Sequence, residues 1–410
     1  MRNNRFIHNS FGSTVLQLSS FLFVVLVLSD LGFAKMDEEP KSSSLLDLSL
    51  ERVEQKVLPK VDVERLLAED RAGGKTLQPP EAPRFAVVAE VSFNQDNSGT
   101  TQELPDGRLW RLRIRSPNAK SHNLGITRFD MPDGAKLWIY NPTHKHVEGP
   151  YTSRHRSHRG SLWTPIIEGD EIVVEVFMPV GVRQPVIEIR KLSQGYLDFN
   201  QAGFGGTEGS CNIDVICPAG NNWGKQIRAV GAYTYTEGSN SRYCTGTMLN
   251  NTAHDFKNYF LTAYHCMVDS TNDDSVVVYW NFQSPICGAH GPGLLTNSQS
   301  GSIYHAGYAP TDFRLLELTM APNPSFNVFY AGWDATGTTP LSTVGIHYPR
   351  GDVKAISLSN QMAQSANYNN NPGPGQDPGT ITTTGNHWRI DWNSGTTEQG
   401  SSGSCLFDTS

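Results

Sequence analysis

All six cysteines of this 410-residue chain lie at or after Cys211. The front of the chain must therefore fold on burial and hydrogen bonding alone, whereas the rear can be cross-linked. The N-terminus supplies the compartment in which such cross-links persist. Arg2 and Arg5 form a positive leader, Phe21 to Leu28 is an apolar run, and Gly32-Phe33-Ala34 offers a small-residue cleavage site. The apolar run is far shorter than the ~20 residues that span a bilayer, and Asp30 closes it. A signal peptide over residues 1–34 predicts export, and export predicts disulfides. Six cysteines allow 15 pairings, among which sequence alone does not choose.

The composition points to a turn-rich β protein, with 38 Gly and 24 Pro. A formal net charge of −7 argues against a nucleic-acid partner, which would favour a basic face. Residues 35–83 read as an acidic linker with one short helix. Asp62 is its N-cap, Val63, Leu66 and Leu67 share a face, and Gly73-Gly74 ends it. Pro79, Pro80 and Pro83 continue the linker.

Residues 84–192 read as all-β. Strands are expected at Phe85–Phe93, Arg108–Ile114, Lys136–Tyr140, Glu171–Phe177 and Val186–Ile189, which suits a β-sandwich. His144, His146, His155 and His158 stand here among Arg154, Arg156 and Arg159. The surrounding cations disfavour a metal, so this reads as a solvated basic loop. Residues 193–208 are a junction. The rear, residues 209–410, is again β, with strands expected at Gln226–Tyr235, Tyr259–Thr262, Ser275–Trp280, Phe313–Leu318 and Trp388–Trp392. Asn367 to Gly385 is a long loop rich in Asn, Gly, Pro and Thr.

Three short motifs in the rear carry chemistry. Leu261-Thr262-Ala263-Tyr264-His265-Cys266 comes first, then Thr311-Asp312-Phe313-Arg314, then Gly400-Ser401-Ser402-Gly403-Ser404. A Ser hydroxyl is a weak nucleophile until a base removes its proton. Histidine suits that base, and a carboxylate fixes its tautomer and stabilises the imidazolium. Ser402, His265 and Asp312 take those roles, with Asp334 as a weaker competitor for the carboxylate. The separations are 47 and 90 residues. A bridge between Cys244 and Cys266 would staple the loop holding His265, contributing roughly 3 kcal/mol on the chain-entropy model. His254, His290 and His305 lack such a setting. Gly-x-Ser-Gly places Ser402 at the reactive position, and the N–H groups of Gly400 and Ser402 would form an oxyanion hole.

The order His, Asp, Ser is that of the chymotrypsin-like serine peptidases, whose intervals are roughly 45 and roughly 93 residues. Residues 209–410 resemble one branch of these, the bacterial lysyl endopeptidases. The resemblance rests on Gly209 to Pro218, Arg228 to Tyr233, Cys244-Thr245-Gly246, Val277 to Asn281 and Ala331 to Asp334. It implies a chymotrypsin-like double β-barrel preceded by a β-sandwich-like propeptide domain. It also implies Cys217–Cys287 and Cys244–Cys266 bridges, cleavage after basic residues with Lys preferred, and no cofactor or metal. The partners implied are protein or peptide substrates and the chain's own propeptide. No nucleic acid is expected, no membrane after signal removal, and a monomer.

Four features depart from the family pattern. The pocket-forming strands and the partner of Cys211 are expected beyond Ser410, which leaves the second barrel incomplete. Tyr368 stands where the family's lysine pocket has Trp. Cys405 replaces a Pro. No Lys or Arg lies between Lys191 and Lys225, so self-cleavage after a basic residue near Gly206 is not available. The rival reading is a non-catalytic secreted binding protein, its sandwich recognising a glycan or protein and its peptidase half a degenerate scaffold.

Overall fold

The computed structural model describes residues 38–44, 49–73, 82–197, 208–368 and 379–408. The signal-peptide residues, Pro79 and Pro80, most of the junction and positions 369–378 of the long loop lie outside these. Among the described residues no helix is long and apolar enough to cross a membrane.

The front contains β1 (Gln55–Val57), α1 (Val63–Gly73), β2 (Arg84–Phe93), β3 (Thr100–Leu104), β4 (Gly107–Arg115), β5 (Ser121–Asp130), β6 (Lys136–Tyr140) and β7 (Val147–Tyr151). The two-residue β8 (Leu162–Trp163) and β9 (Ile167–Glu168), then β10 (Glu171–Pro179) and β11 (Val186–Gly195), complete it. One sheet runs β1-β4-β10-β6-β7 with β3 beside β4, and the facing layer is β2-β11-β5 with β8 and β9 on β5. Alternation decides which side chains meet. On β4, Trp110, Leu112 and Ile114 turn into the core, where Ile172, Val174 and Val176 of β10 join Leu124, Ile126, Ile187 and Ile189 of the facing layer. Strand β5 escapes the sequence pattern because it is buried on both faces, with His122, Asn123, Leu124 and Ile126 all inside.

Residues 49–73, a linker on sequence grounds, pack onto this sandwich. Strand β1 pairs parallel with β4, and Leu58 enters the core. Asp62 caps α1 by accepting the Arg65 N–H at 3.1 Å. Leu66 of that helix is buried against Val61, Ala119 and Tyr196.

The rear begins with α2 (Gly224–Ala229) and β12 (Val230–Glu237), so the first half of the expected 226–235 strand is helical. Lys225, Gln226, Arg228 and Ala229 include strong helix formers, and the extended pattern starts only at Val230. Then come β13 (Asn240–Leu249), β14 (Tyr259–Ala263), β15 (Val277–Tyr279), β16 (Ser298–Ser300), β17 (Ser302–Tyr308) and β18 (Phe313–Leu318). Strands pair in the order β16-β15-β12-β13-β14-β18-β17. Residues 298–308 bend at Gly301, so one end of this segment pairs β15 and the other pairs β18. That bend brings the first barrel nearly to closure. Beyond it lie β19 (Thr343–His347), β20 (Ala355–Ser359), β21 (Gln364–Tyr368), β22 (Gly379–Ile381), β23 (His387–Arg389) and β24 (Leu406–Asp408). These form two three-stranded sheets, β20-β19-β24 and β22-β21-β23, rather than a second closed barrel. The architecture is the all-β one expected, a barrel and an incomplete partner behind a β-sandwich.

Front and rear share one sheet. β2 pairs with β13, matching Val87 to Asn240 and Ala86 to Ser241. Phe85, Ala86, Trp163 and Ile166 pack among Val230, Tyr279 and Ile346. The basic loop is not simply solvated. Arg159 Nε reaches the buried Asp273 carboxylate at 3.1 Å, and the Ser161 hydroxyl donates to Asp274 at 2.6 Å. The loop is basic because it docks on acidic residues of the rear half.

Candidate active site

His265 and Asp312 are placed by strand pairing. β14 runs antiparallel to β18, matching Ala263 to Phe313. The ladder continues one step past both strands, where the Tyr264 N–H donates to the Asp312 carbonyl at 2.9 Å. His265 therefore faces Asp312 as a consequence of register. Asp312 adopts a left-handed backbone with φ 52°, a conformation Asp tolerates better than most residues. Its Oδ1 accepts the His265 backbone N–H at 2.9 Å, and its Oδ2 lies 2.6 Å from His265 Nδ1. A carboxylate can only accept, so Nδ1 carries the proton and Nε2 presents a lone pair. That lone pair faces the Ser402 hydroxyl at 2.7 Å.

The turn holding His265 is clamped on two sides. The Cys244–Cys266 bridge ties it to β13, as the resemblance implies, and the Cys217–Cys287 bridge is formed as well. The buried Arg314 guanidinium lies between the Tyr264 and Tyr304 rings, at 4.5 and 5.6 Å, and donates to the Val268 carbonyl. Nothing in the motif Thr311 to Arg314 announces that second role for Arg314.

Ser402 comes from a loop, and two glycines let that loop approach. Gly403 has φ +86°, and a Cβ there would stand 2.2 Å from both the Thr245 carbonyl oxygen and Thr262 Oγ1. Gly400 has φ +92°, and a Cβ there would stand 2.6 Å from the Tyr243 ring. Neither position accepts another residue without displacing backbone. The Thr245 N–H donates to the Ser402 carbonyl at 2.9 Å, and the Thr245 hydroxyl donates to the Gly400 carbonyl at 2.8 Å. The carbonyls on either side of Ser401 thus turn toward β13. Among the described residues the Gly400 and Ser402 N–H groups have no protein acceptor.

The other sequence candidates fall elsewhere. Asp334 is exposed and accepts the Thr336 N–H at 2.7 Å. Ser401 turns its hydroxyl inward to His347. His305 pairs with Glu317. Tyr368 ends β21 half-exposed, its ring 5.8 Å from the His387 ring. Burial and the Asp312 charge raise its phenol above the ordinary range. Cys211 is exposed, and burial raises the Cys405 thiol to about 11. His290 joins Glu208 and Asp214, whose ligand-type atoms lie within 4.8 Å of one another. This set is of a kind that can hold a divalent cation, and His290 already pairs with both carboxylates. Burial and the Asp352 charge push the Glu208 carboxyl up to about 7.

The sequence model of the lysyl endopeptidase C-terminal domain matches residues 205–410, and that of the N-terminal domain matches residues 74–193. A lysyl endopeptidase of Pseudomonas aeruginosa is 31% identical over 265 residues, covering 60% of this chain and 53% of the relative. The chain therefore spans about half the length of that curated relative. A thermostable serine protease from an extremophilic microorganism superposes with a TM-score of 0.29 at 11% identity, covering 45% of this chain and 81% of the other. The active form of a protease from M. tuberculosis gives 0.28 at 15% identity, covering 47% and 71%. With the C-terminal domain model matching residues 205–410, half of the chain, and the N-terminal domain model matching ahead of it, this chain belongs to the lysyl endopeptidase family.

Proposed function

We propose that the chain is the zymogen of a secreted serine endopeptidase that works through an acyl-enzyme. The observation that carries this reading is the continuous hydrogen-bonded line from Asp312 through His265 to Ser402, at 2.6 and 2.7 Å. Ser402 Oγ attacks the scissile carbonyl carbon while His265 Nε2 takes its proton. Asp312, unable to donate, holds the imidazole and stabilises the imidazolium. The carbonyl oxygen becomes an oxyanion that accepts from the Gly400 and Ser402 N–H groups. Collapse expels the amine, protonated by His265. Water then repeats the sequence on the ester and restores Ser402.

Cleavage after basic residues, Lys before Arg, follows from family membership, with Tyr368 taken as the aromatic of the substrate pocket. Residues 1–34 act as signal peptide, the segment through 192 as propeptide and 209–410 as the peptidase, joined at 193–208. The pairing of β2 with β13 supports a propeptide that lends a strand to the peptidase sheet and leaves when matured. The test is peptide hydrolysis by the protein after maturation of the full-length precursor. Ser402→Ala should lower kcat by about 10⁴ or more, with substrates ending in Lys favoured over Arg and both over Leu. Near-normal turnover by that variant overturns the assignment.

A further inference from the structure

His347, at the end of β19, is fully buried and has no part in the triad. Its ring stands between two serines, with Nδ1 2.8 Å from Ser401 Oγ and Nε2 3.0 Å from Ser357 Oγ. Ser357 is on β20, and its hydroxyl lies 2.7 Å from the Thr396 carbonyl. Ser401 Oγ also accepts the Glu398 N–H at 3.2 Å.

These contacts fix every proton once one end is known. The Thr396 carbonyl can only accept, so the Ser357 hydroxyl donates to it. Ser357 Oγ then has only lone pairs left for His347, so Nε2 carries the ring proton. Nδ1 is therefore bare and accepts from the Ser401 hydroxyl. The Ser401 oxygen in turn takes the Glu398 N–H. Every donor and acceptor is used, as a buried polar network requires. Burial holds the imidazole neutral, with its pKa lowered to about 3, which agrees with one proton shared along one direction.

Both ends of the line lie in the nucleophile loop, at Thr396 and at Ser401, and its middle is anchored to the β19–β20 pair. Ser401 separates Gly400 from Ser402, the two residues whose N–H groups face the oxyanion in the proposed reaction. We infer that His347 is a positioning residue, a neutral Nε2–H imidazole that fixes the Ser401 side chain and so aims the Gly400 and Ser402 N–H groups. This rests on the serine-peptidase reading of the site.

The test expresses the full-length precursor, measures turnover after its maturation, and uses two variants and one spectrum. His347→Leu removes the acceptor and the donor, and it should lower kcat on the order of 10- to 100-fold with KM within about twofold. His347→Asn keeps an acceptor toward Ser401 and should recover most of that loss. Nitrogen NMR of histidine-labelled wild type should show His347, identified by its absence in His347→Asn, protonated at Nε2 and bare at Nδ1. Wild-type kcat in His347→Leu overturns the inference, as does a protonated Nδ1 in the spectrum. Should His347→Leu fail to fold, Ser401→Ala replaces it, with the same fall in kcat expected and unchanged kcat counting against the relay. Full activity in Ser402→Ala would instead remove the peptidase reading, and the spectrum would still decide the relay.

Discussion

The two sides of the site are built differently. His265 and Asp312 stand at the ends of adjacent strands in a nearly closed barrel, so their meeting follows from the β14–β18 register. Ser402 stands in a loop next to a sheet of only three strands, held by one backbone hydrogen bond from Thr245 and by the side chains of Thr245, Ser401 and His347. Backbone pairing is cooperative and tolerates changes of side chain. A loop held by side-chain hydrogen bonds and by glycine contacts depends on each of them. The dyad should therefore be broken by changes to its chemistry, and the nucleophile by changes to its support.

On the dyad side the largest effect comes from Asp312→Asn. The amide can donate to Nδ1, which turns the imidazole to the wrong tautomer and leaves no lone pair facing Ser402. A loss in kcat of roughly 10⁴ is expected with the fold retained. Circular dichroism and thermal melting should match the wild type, because the β14–β18 ladder does not use the carboxylate. Collapse of the fold would mean that the side chain, and not the ladder, holds the two strands together.

On the nucleophile side, Gly403→Ala tests support rather than chemistry. The added methyl meets the Thr245 carbonyl and Thr262 Oγ1 at 2.2 Å, and the backbone is already in the left-handed region. The loop must move away from β13, taking the Ser402 N–H with it. A kcat loss of about 10²–10³ is expected, the usual effect of one misplaced oxyanion donor. Unlike Asp312→Asn, this variant should also melt earlier. An unchanged kcat would mean that the loop can shift without moving the hydrogen-bond donors.

This asymmetry also separates what the sequence reveals from what it hides. The stretches around His265, Asp312 and Ser402 are legible because each is local: a strand end next to a cysteine, a strand start, a glycine-flanked serine. Strand β18 is read at its observed limits, Phe313–Leu318, since it alternates buried and half-exposed residues. Strand β5 is missed because burial on both faces erases alternation, and α2 because its short polar run precedes a strand without a break. The His347 relay has no local signal at all. Ser357, Thr396 and Ser401 are 10, 49 and 54 residues away, and only the β19–β20 pairing together with the Leu358–Ser394 bridge to the following loop gathers them. The same holds for Arg159 on Asp273 and for β2 on β13, contacts that exist only once the front half is folded against the rear.

The smallest effect concerns stability rather than turnover, and it sharpens the nucleophile side. His347 is neutral in the native protein down to about pH 3, whereas the unfolded chain titrates it near 6.5. As pH falls below 6.5, the unfolded state gains a proton that the native state does not, so stability declines from 6.5 toward 3 and is flat above. His122, buried in the sandwich and lowered to about 4, contributes in the same direction. These two histidines each take up to about 1.4 kcal/mol per pH unit from the wild type below 6.5, and Glu208, raised to about 7, offsets about one of the two protons between 7 and 4.5. His347→Asn should remove one of them. Denaturant melts of both proteins between pH 4 and 8 should therefore differ by about one proton in slope on the acid side and run parallel above 7. Parallel curves throughout would mean that the imidazole takes up its proton in the native state, and a charged ring could not accept from Ser401.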